Sequence, residues 1–295
     1  MTPTERHQKN IQKKGGYRLR TLDPLSSIMP FVMKGRLESM NQLRDTIEVD
    51  TIRRYIAEKR SQGLDGFGLM HVLVAAYIRM LSQRPAVNRY IRGQRIYARN
   101  GIIINMTIKK EMTSEAPETI IKLKFDRTAT AEDVYRQFQD KILAYKNEDD
   151  ADEDLAKVIK ALISLPRIFL RGTVGLLKFM DYFNLVPQSL LDVSPFHGSL
   201  YLTSMGSLRL PAAYHHLYEF GDVPMFVSFG AIYKERELQA DGTVQTKNMV
   251  DFVVSTDDRI CDGFYFASSL QMFKGFLKNP WSLDTPPESV VDDID

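Results

Sequence analysis

The 295-residue sequence contains a single cysteine, Cys261. One thiol excludes an internal disulfide framework and is typical of a reducing compartment, so we expect a cytoplasmic protein. No uncharged apolar run approaches the ~20 residues that a membrane-spanning helix needs. The basic N-terminus has no apolar core behind it, which excludes a secretory signal. A net charge of +2 argues against general nucleic-acid binding.

The sequence also lacks the motifs of several common site classes. It has no Walker-type or dinucleotide-binding glycine loop. Its five histidines are His7, His71, His197, His215 and His216, and none has zinc-site spacing. With no second thiol available as a ligand, we expect no metal site.

Charge is unevenly distributed along the chain. Residues 1–27 are rich in Lys, Arg, Gln and Gly, and we interpret them as a basic flexible arm. Residues 282–295 form an acidic tail, for which we also expect solvation and mobility. Between them, residues 28–281 are long enough to bury a large core and are expected to form one catalytic-type domain.

The most informative stretch lies near the C-terminus. Residues 249–256 alternate and are rich in β-branched side chains, which predicts a strand, and Asp241-Gly242 before it predicts a hairpin turn. Apolar residues at helical spacing follow from Phe264 to Leu277, and Asn279-Pro280 ends the helix. A short polar loop therefore joins a strand to a helix, a position at which rigid elements can present catalytic groups.

That loop reads Asp257-Asp258-Arg259-Ile260-Cys261-Asp262-Gly263. It resembles the H-x-x-x-D-G motif of chloramphenicol acetyltransferase and of dihydrolipoyl acyltransferase catalytic domains, often D-H-R-x-x-D-G in the latter. The resemblance implies an α/β fold, the coenzyme A-dependent acyltransferase fold, with a mixed, largely antiparallel sheet flanked by helices. It implies coenzyme A or acyl-coenzyme A as substrate, a small-molecule acyl donor and acceptor, and a homotrimer with active sites between subunits. The family's catalytic histidine falls on Asp258.

A second block of the resemblance spans Gly198–Gly206, similar to the family's G-x-x-x-T-I-S-N-L-G strand. The family's hydroxyl at this strand end donates to the oxyanion of the tetrahedral intermediate. Ser204 is the best positional match and Thr203 the second. Asp262 corresponds to the family's loop-fixing aspartate, which commonly contacts an arginine; the alternative is a carboxylate that opens the following helix.

Asp258 is a weak substitute for the histidine. A carboxylate with a reference pKa of ~3.9 is ~2.6 units less basic than imidazole, roughly 3.5 kcal/mol of proton-transfer driving force. A loss of a factor of ~10² in rate is therefore expected if Asp258 is the base. His197, His215 and His216, which flank the Ser204 strand in sequence, are the alternative bases.

Residues 148–197 depart from the family pattern and are interpreted as a helical insertion. Leu155, Val158, Ile159, Leu162 and Ile163 share one helical face, and an apolar stretch with interspersed basic residues follows Pro166. One interpretation is a helical hairpin packed on the domain or on a neighbouring subunit, with Leu155, Ile159, Leu162 and Phe169 packed against protein. The other is an acyl-chain lid or a peripheral lipid contact through residues 155–190.

Two functions remain open from the sequence. The first is an acyltransferase whose usual catalytic histidine is replaced by Asp258. The second is a non-catalytic relative that binds coenzyme A, an acyl group or a protein partner.

Overall fold

A computed structural model of the protein describes residues 15–109, 118–147, 160 and 162–294. Two β-sheets organise this part of the chain. The strands are β1 (Gly16–Arg18), β2 (Met40–Glu48), β3 (Tyr90–Arg92), β4 (Arg95–Arg99), β5 (Ile102–Lys109), β6 (Glu118–Phe125), β7 (Leu200–Ser204), β8 (Met225–Leu238) and β9 (Val244–Asp257). The helices are α1 (Pro24–Val32), α2 (Asp50–Ser61), α3 (Leu69–Gln83), α4 (Ala131–Asn147), α5 (Arg167–Tyr182), α6 (Gln188–Val193) and α7 (Gly263–Lys278).

The main sheet has six strands in the order β2-β9-β8-β7-β5-β6. The β2/β9, β8/β9 and β5/β6 pairs are antiparallel, and the β5/β7 and β7/β8 pairs are parallel. A smaller antiparallel sheet has the order β1-β4-β3. The predicted α/β fold with a mixed, largely antiparallel sheet flanked by helices is confirmed.

The core follows from the two-residue alternation of the strands. On one face of the sheet, Val250, Phe252 and Val254 of β9 join the main buried cluster with the helices. On the other face, Tyr201 and Phe226 join a smaller cluster under the loop between β7 and β8. Both faces of the central strands are therefore covered, as expected for strands that lie inside a mixed sheet.

The strand, loop and helix predicted near the C-terminus are confirmed as β9 and α7. The predicted turn at Asp241-Gly242 joins β8 to β9, and Gly242 has the positive φ of +82° that such a turn requires. β9 is an interior strand that ends at Asp257, so Asp258 is the first residue beyond the end of the strand, six residues after Phe252.

The expected basic arm differs from the structure over residues 15–27. Gly16–Arg18 form β1, which pairs with β4, and Asp23 caps α1 by accepting a hydrogen bond from Ser26 N at 2.9 Å. Gly16 is needed there because an added Cβ would lie 2.2 Å from the Ala98 carbonyl oxygen. Backbone pairing orders this segment despite its polar composition.

The acidic tail is also fixed where the structure describes it. Asp293 accepts two hydrogen bonds from the Arg89 guanidinium, at 2.7 and 2.5 Å, and is buried. Val291 N donates to Ser82 O at 2.8 Å. Val291 and Asp293 thus attach the tail to distant parts of the chain, while most of residues 284–294 are exposed to solvent, as expected for an acidic tail.

The insertion forms α5 and α6, while Leu155, Val158 and Ile159 lie outside the described residues. Phe169, expected to pack against protein, is 63% exposed in the single chain. In α5 only Asp181 is buried, and the exposed large side chains include Ile168, Leu176 and Phe179. These four apolar side chains therefore do not pack on the chain's own domain, and their packing on a neighbouring subunit stays a prediction. Within the described part of the chain, no helix has the length and apolarity to cross a membrane.

Candidate functional site

The loop between β9 and α7 is held by backbone hydrogen bonds on both sides of Asp258. Asp257 N donates to Pro224 O at 2.9 Å, and Asp258 N donates to Ser39 O at 2.8 Å. Ile260 N closes the turn on Asp257 O at 3.3 Å. The main chain at Asp258 is thus tied to the start of β2 and to the residue before β8.

A buried ion pair fixes the same loop from inside. The Arg259 guanidinium donates to both carboxylate oxygens of Asp257, at 2.8 and 2.7 Å, and both side chains are almost fully buried. Arg259 Nη1 also donates to the carbonyls of Met33 and Lys34. A bidentate pair with its remaining donors satisfied is a geometrically specific contact. The sequence suggested an arginine contact for Asp262, whereas the structure gives it to Asp257.

Asp258 differs from both of its neighbours because its side chain is exposed. Among the described residues, its carboxylate has no hydrogen-bond or ion-pair partner. Asp262 caps α7 by accepting a hydrogen bond from Tyr265 N at 2.8 Å, which is the helix-opening position. Burial raises the pKa of the Cys261 thiol to about 12, so this thiol is a poor nucleophile.

Ser204 lies at the end of β7 and is also exposed. Its Oγ accepts a hydrogen bond from Gly206 N at 3.3 Å. Ser204 pairs with Phe229 of β8, which in turn pairs with Phe252 of β9. Asp258 is six residues beyond Phe252, so the two side chains are separated by roughly 20 Å along the strand direction. Within one chain, Ser204 and Asp258 lie toward opposite ends of the sheet and cannot share a substrate.

His215 is the alternative base that lies at the Asp258 end of the sheet. Its backbone oxygen accepts hydrogen bonds from Gln42 Nε2, at 2.8 Å, and from Ser255 Oγ. Its ring stacks on Phe226 at 4.2 Å between centroids, and burial, with a smaller contribution from His216, lowers its pKa. Its buried Nε2 has no hydrogen-bond partner among the described residues. His215 is therefore a neutral imidazole at neutral pH.

The other two histidines have local partners. His216 is exposed, and its Nδ1 lies 3.1 Å from Leu217 O. His197 is buried, with Nδ1 2.7 Å from Ser194 Oγ and Nε2 3.1 Å from Asp181 Oδ1. His197 therefore fastens both helices of the insertion to the strand that begins at Leu200.

A charged cluster that the sequence analysis missed lies beside His197. Asp222 is 2% exposed and accepts hydrogen bonds from Arg92 Nη2 at 2.5 Å, Arg99 Nη2 at 2.9 Å and Gly198 N at 3.0 Å. Burial alone would raise the Asp222 pKa, but the guanidinium groups of Arg99, Arg92 and Arg36 hold it well below its usual range. No local motif marks these residues, because they come from separate strands and loops.

A cleft of about 310 Å³ lies next to the Asp258 loop. We call it the basic cleft because its lining contains five cationic side chains, Lys34, Arg36, Arg92, Lys178 and Arg259. The arginines are buried and bonded within the protein, whereas the two lysines are exposed. Asp181 and Glu219 are the acidic lining residues. In the described residues, no three His, Cys, Asp or Glu side chains come together as metal ligands.

The fold is similar to solved acyltransferase cores. A probable dihydrolipoamide acetyltransferase from Listeria monocytogenes 4b F2365 is 14% identical, with a TM-score of 0.53 over 88% of this chain and 95% of that chain. A truncated catalytic core of the 2-oxoacid dehydrogenase multienzyme complex from Thermoplasma acidophilum is 13% identical, with a TM-score of 0.52 over 95% and 97%.

A third structure is the dihydrolipoamide acetyltransferase of Azotobacter vinelandii, investigated for the role of a serine, a histidine and an asparagine in its catalytic mechanism. It is 9% identical, with a TM-score of 0.51 over 88% of each chain. No protein-family model matches the sequence. No curated protein matches it either. At these identities the similarity establishes architecture, and the chain has the fold of the dihydrolipoamide acetyltransferase catalytic core.

Proposed function

We propose that this protein is a coenzyme A-dependent acyltransferase whose active site forms between two subunits, with Asp258 from one and Ser204 from the other. The observation that carries the proposal is the exposed carboxylate of Asp258, which has no partner in the described part of the chain and lies on a loop that is otherwise fixed. In the Azotobacter vinelandii enzyme the asparagine follows the histidine by four residues. Asp262 follows Asp258 by the same interval.

In the proposed reaction, Asp258 accepts the proton of the attacking thiol or hydroxyl. The nucleophile adds to the acyl carbonyl, and the Ser204 hydroxyl donates a hydrogen bond to the resulting oxyanion. Collapse of this intermediate expels the second group, which takes the proton from Asp258. The carboxylate ends the cycle ionised, as it began, so atoms and charge balance.

The basic cleft supports coenzyme A as the substrate at this end of the sheet. Its exposed Lys34 and Lys178 are available to phosphate groups, and buried Arg259 links its wall to the Asp258 loop. Lys34→Gln with Lys178→Gln should weaken acetyl-coenzyme A binding in calorimetry. Lys124→Gln, an exposed lysine that does not line the cleft, is the matched control.

A homotrimer accounts for the position of Ser204 and for exposed apolar surface. Leu25, Ile28, Phe31 and Val32 of α1 are each at least half exposed. Tyr182 of α5 bonds Gln94 at 2.9 Å, and Gln94 reaches Pro30 O at 3.4 Å, so α1 and α5 are linked through Gln94. Light scattering should give three times 33.8 kDa. A monomer at micromolar concentration would contradict the shared site.

The exposed face of α5 has two proposed roles that one experiment separates. Leu176→Ser with Phe179→Ser should dissociate the trimer if this face contacts a neighbouring subunit. If the face is a lid or a peripheral lipid contact, the variant should stay trimeric and lose binding to acyl-coenzyme A or to vesicles. Leu238→Ser, an exposed leucine at the end of β8, is the control.

The base is tested by three substitutions. Asp258→Asn should abolish acyl transfer with almost no change in stability, because the amide keeps the shape and lacks basicity. Asp258→His should raise the rate, by up to ~10². Asp140→Asn removes an exposed carboxylate on α4 and should change neither property. If Asp258→Asn remains active, the proposal for the base fails, and His215, then His197 and His216, are the next residues to substitute.

The second candidate function is a non-catalytic relative that binds acyl-coenzyme A. The basic cleft favours it, since a phosphate-binding surface survives beside a loop without the family's histidine. Tight acetyl-coenzyme A binding without transfer or hydrolysis, in the parent and in Asp258→His alike, would establish this function in place of the first.

A further inference from the structure

A second cavity lies beneath α6. It shares one lining residue, Arg92, with the basic cleft. It has a volume of about 50 Å³. Its polar lining comes from Tyr90, Arg92, Arg99, Lys122, Gln188 and His197, with Asp222 on its floor and Asp192 at α6. We call it the α6 cavity. One water needs roughly 10–15 Å³ by this measure, so the space suits a group of a few heavy atoms.

Lys122 is the unusual member of this lining. Its Nζ donates to Leu191 O at 2.6 Å and to Ser194 O at 2.9 Å, which leaves one of its three N–H donors. Among the residues that the structure describes, no carboxylate lies within 4 Å of Lys122 Nζ. The neighbouring Lys124, by contrast, pairs with Asp192 at 2.8 Å. Burial of a charge without a counterion is costly, and it lowers the pKa of Lys122 to about 8.

Arg99 supplies a second unsatisfied donor. Its side chain is only 5% exposed, and its Nη2 is used by Asp222. Its Nε is buried and has no hydrogen-bond partner among the described residues. A buried N–H without a partner is costly, so a ligand oxygen at this point is favoured.

The charged side chains that line the cavity have a surplus of positive charge, which also favours an anion. Its lining has three cations, Arg92, Arg99 and Lys122, and two carboxylates. Asp222 is shared between the two arginines, and Asp181 lies 3.5 Å from Arg92 Nε outside the cavity. The other carboxylate, Asp192, is paired with Lys124. Among the described lining residues, Lys122 is therefore the cation with no carboxylate in direct contact.

We infer that the α6 cavity binds a small oxyanion, a carboxylate or a phosphate-type group, between Lys122 and Arg99. The anion's oxygens would accept the third Lys122 N–H and the Arg99 Nε–H. The cavity takes the whole of a small anion or the charged end of a larger metabolite that enters beside α6. This site is independent of acyl transfer at Asp258.

The test uses acetate and inorganic phosphate as probes of the full chain in calorimetry, in a buffer free of other carboxylates and phosphates. Saturable binding by the parent is expected, with the preferred probe identifying carboxylate or phosphate as the better fit. Lys122→Gln should weaken binding at least tenfold, and Lys122→Arg should retain most of it. Lys141→Gln, an exposed lysine of α4 that does not line the cavity, should bind as the parent does.

Acetyl-coenzyme A binding distinguishes this site from the basic cleft. Lys122 does not line the cleft, so Lys122→Gln should leave acetyl-coenzyme A affinity unchanged while anion binding is lost. Equal loss of both ligands would show one continuous site and overturn the inference. So would the absence of saturable anion binding by the parent.

The pH dependence of anion binding by the parent protein gives a second test, which does not depend on whether a Lys122 variant folds. The groups facing Lys122 are Asp222, Arg99, Lys124, Asp192 and His197. Because the charged form of Lys122 is required, acetate affinity should fall roughly tenfold between pH 7 and pH 9. Affinity that is constant over this range would refute the role of Lys122.

Discussion

The charged cluster around Asp222 gives the sharpest prediction about stability. Asp222→Asn keeps the shape of the side chain and removes the negative charge that Arg92 and Arg99 share at 2.5 and 2.9 Å. Both guanidinium side chains are at most 6% exposed, so water cannot replace the carboxylate. Breaking a buried pair in this way costs about 3–5 kcal/mol. At roughly 2–4 °C per kcal/mol, we expect the melting temperature to fall by about 6–20 °C.

The pH dependence provides an independent signature. The folded-state pKa of Asp222 is depressed, so its stabilisation is present above the unfolded pKa of ~3.9 and is lost as pH falls toward the folded value. The difference in unfolding free energy between parent and Asp222→Asn should therefore narrow by about 1.4 kcal/mol per pH unit below pH ~4.

Urea unfolding followed by tryptophan fluorescence measures both effects, because Trp281 is the single tryptophan and its ring lies 5.7 Å from that of buried Tyr55. The matched control is Asp292→Asn, whose carboxylate is 83% exposed in its pair with Arg127 and should change stability by less than ~0.5 kcal/mol. A cost below ~1 kcal/mol for Asp222→Asn at pH 7, or a difference that does not vary in acid, would refute the reasoning.

Three further predictions concern single positions. Gly221→Ala should lower the free energy of unfolding by at least ~3 kcal/mol, since φ is +91° and the added Cβ would lie 1.9 Å from Phe196 O. The control is Gly242→Ala, with φ of +82° and open space, which should lower it by only about 1 kcal/mol in the same urea assay. Cys261, with its pKa raised to about 12, should react with iodoacetamide at pH 8 on the order of 10³ times more slowly folded than in urea, as mass spectrometry will show. Burial lowers the His71 pKa to about 4, so the unfolded state is protonated first as pH falls from ~6.5, and the free energy of unfolding decreases by about 3 kcal/mol by pH 4. His71→Asn should remove that decrease when unfolding in urea is measured as a function of pH. An acid profile like that of the parent would contradict the prediction.

The elements of the fold could be predicted from the sequence where the signal is local. Strand alternation before Asp257, helical spacing after Gly263 and the Asp241-Gly242 turn are all properties of a few neighbouring residues, and each matches an element in the structure. The mixed sheet followed from the resemblance of these blocks to known acyltransferases. Local pattern and family motif agreed there, which is the condition for a secure prediction.

The ends of the chain could not be predicted because composition does not identify partners. The acidic tail reads as solvated, yet Asp293 finds Arg89 about two hundred positions earlier in the sequence. The segment at Gly16 reads as a flexible arm, yet it pairs with β4 through its backbone. Both contacts join residues that are far apart in the sequence, and a charge pattern does not predict such pairs.

The sequence motifs name candidate site residues without giving their geometry. The motif singled out Asp258, and the structure shows an exposed carboxylate between two buried residues. The strand register, however, separates Asp258 from Ser204 by roughly 20 Å along the sheet, which sequence spacing does not reveal. Sequence spacing also does not reveal that Lys122 has no carboxylate in direct contact among the described residues, because this depends on how α6 packs beside it.

The way the loop is fixed bears on whether Asp258 can be exchanged for histidine. Position 258 is held by its own backbone N–H to Ser39 and by the buried Asp257–Arg259 pair, and the Asp258 side chain contributes to neither. A substitution at 258 therefore changes the basicity presented by the loop without removing any contact that shapes it. Arg259, which holds the loop, also lines the basic cleft, so position 258 and the basic cleft are linked through one buried side chain. For this reason the rates of Asp258→His and Asp258→Asn report on proton transfer alone, whereas a change at Arg259 would disturb loop, cleft and stability together.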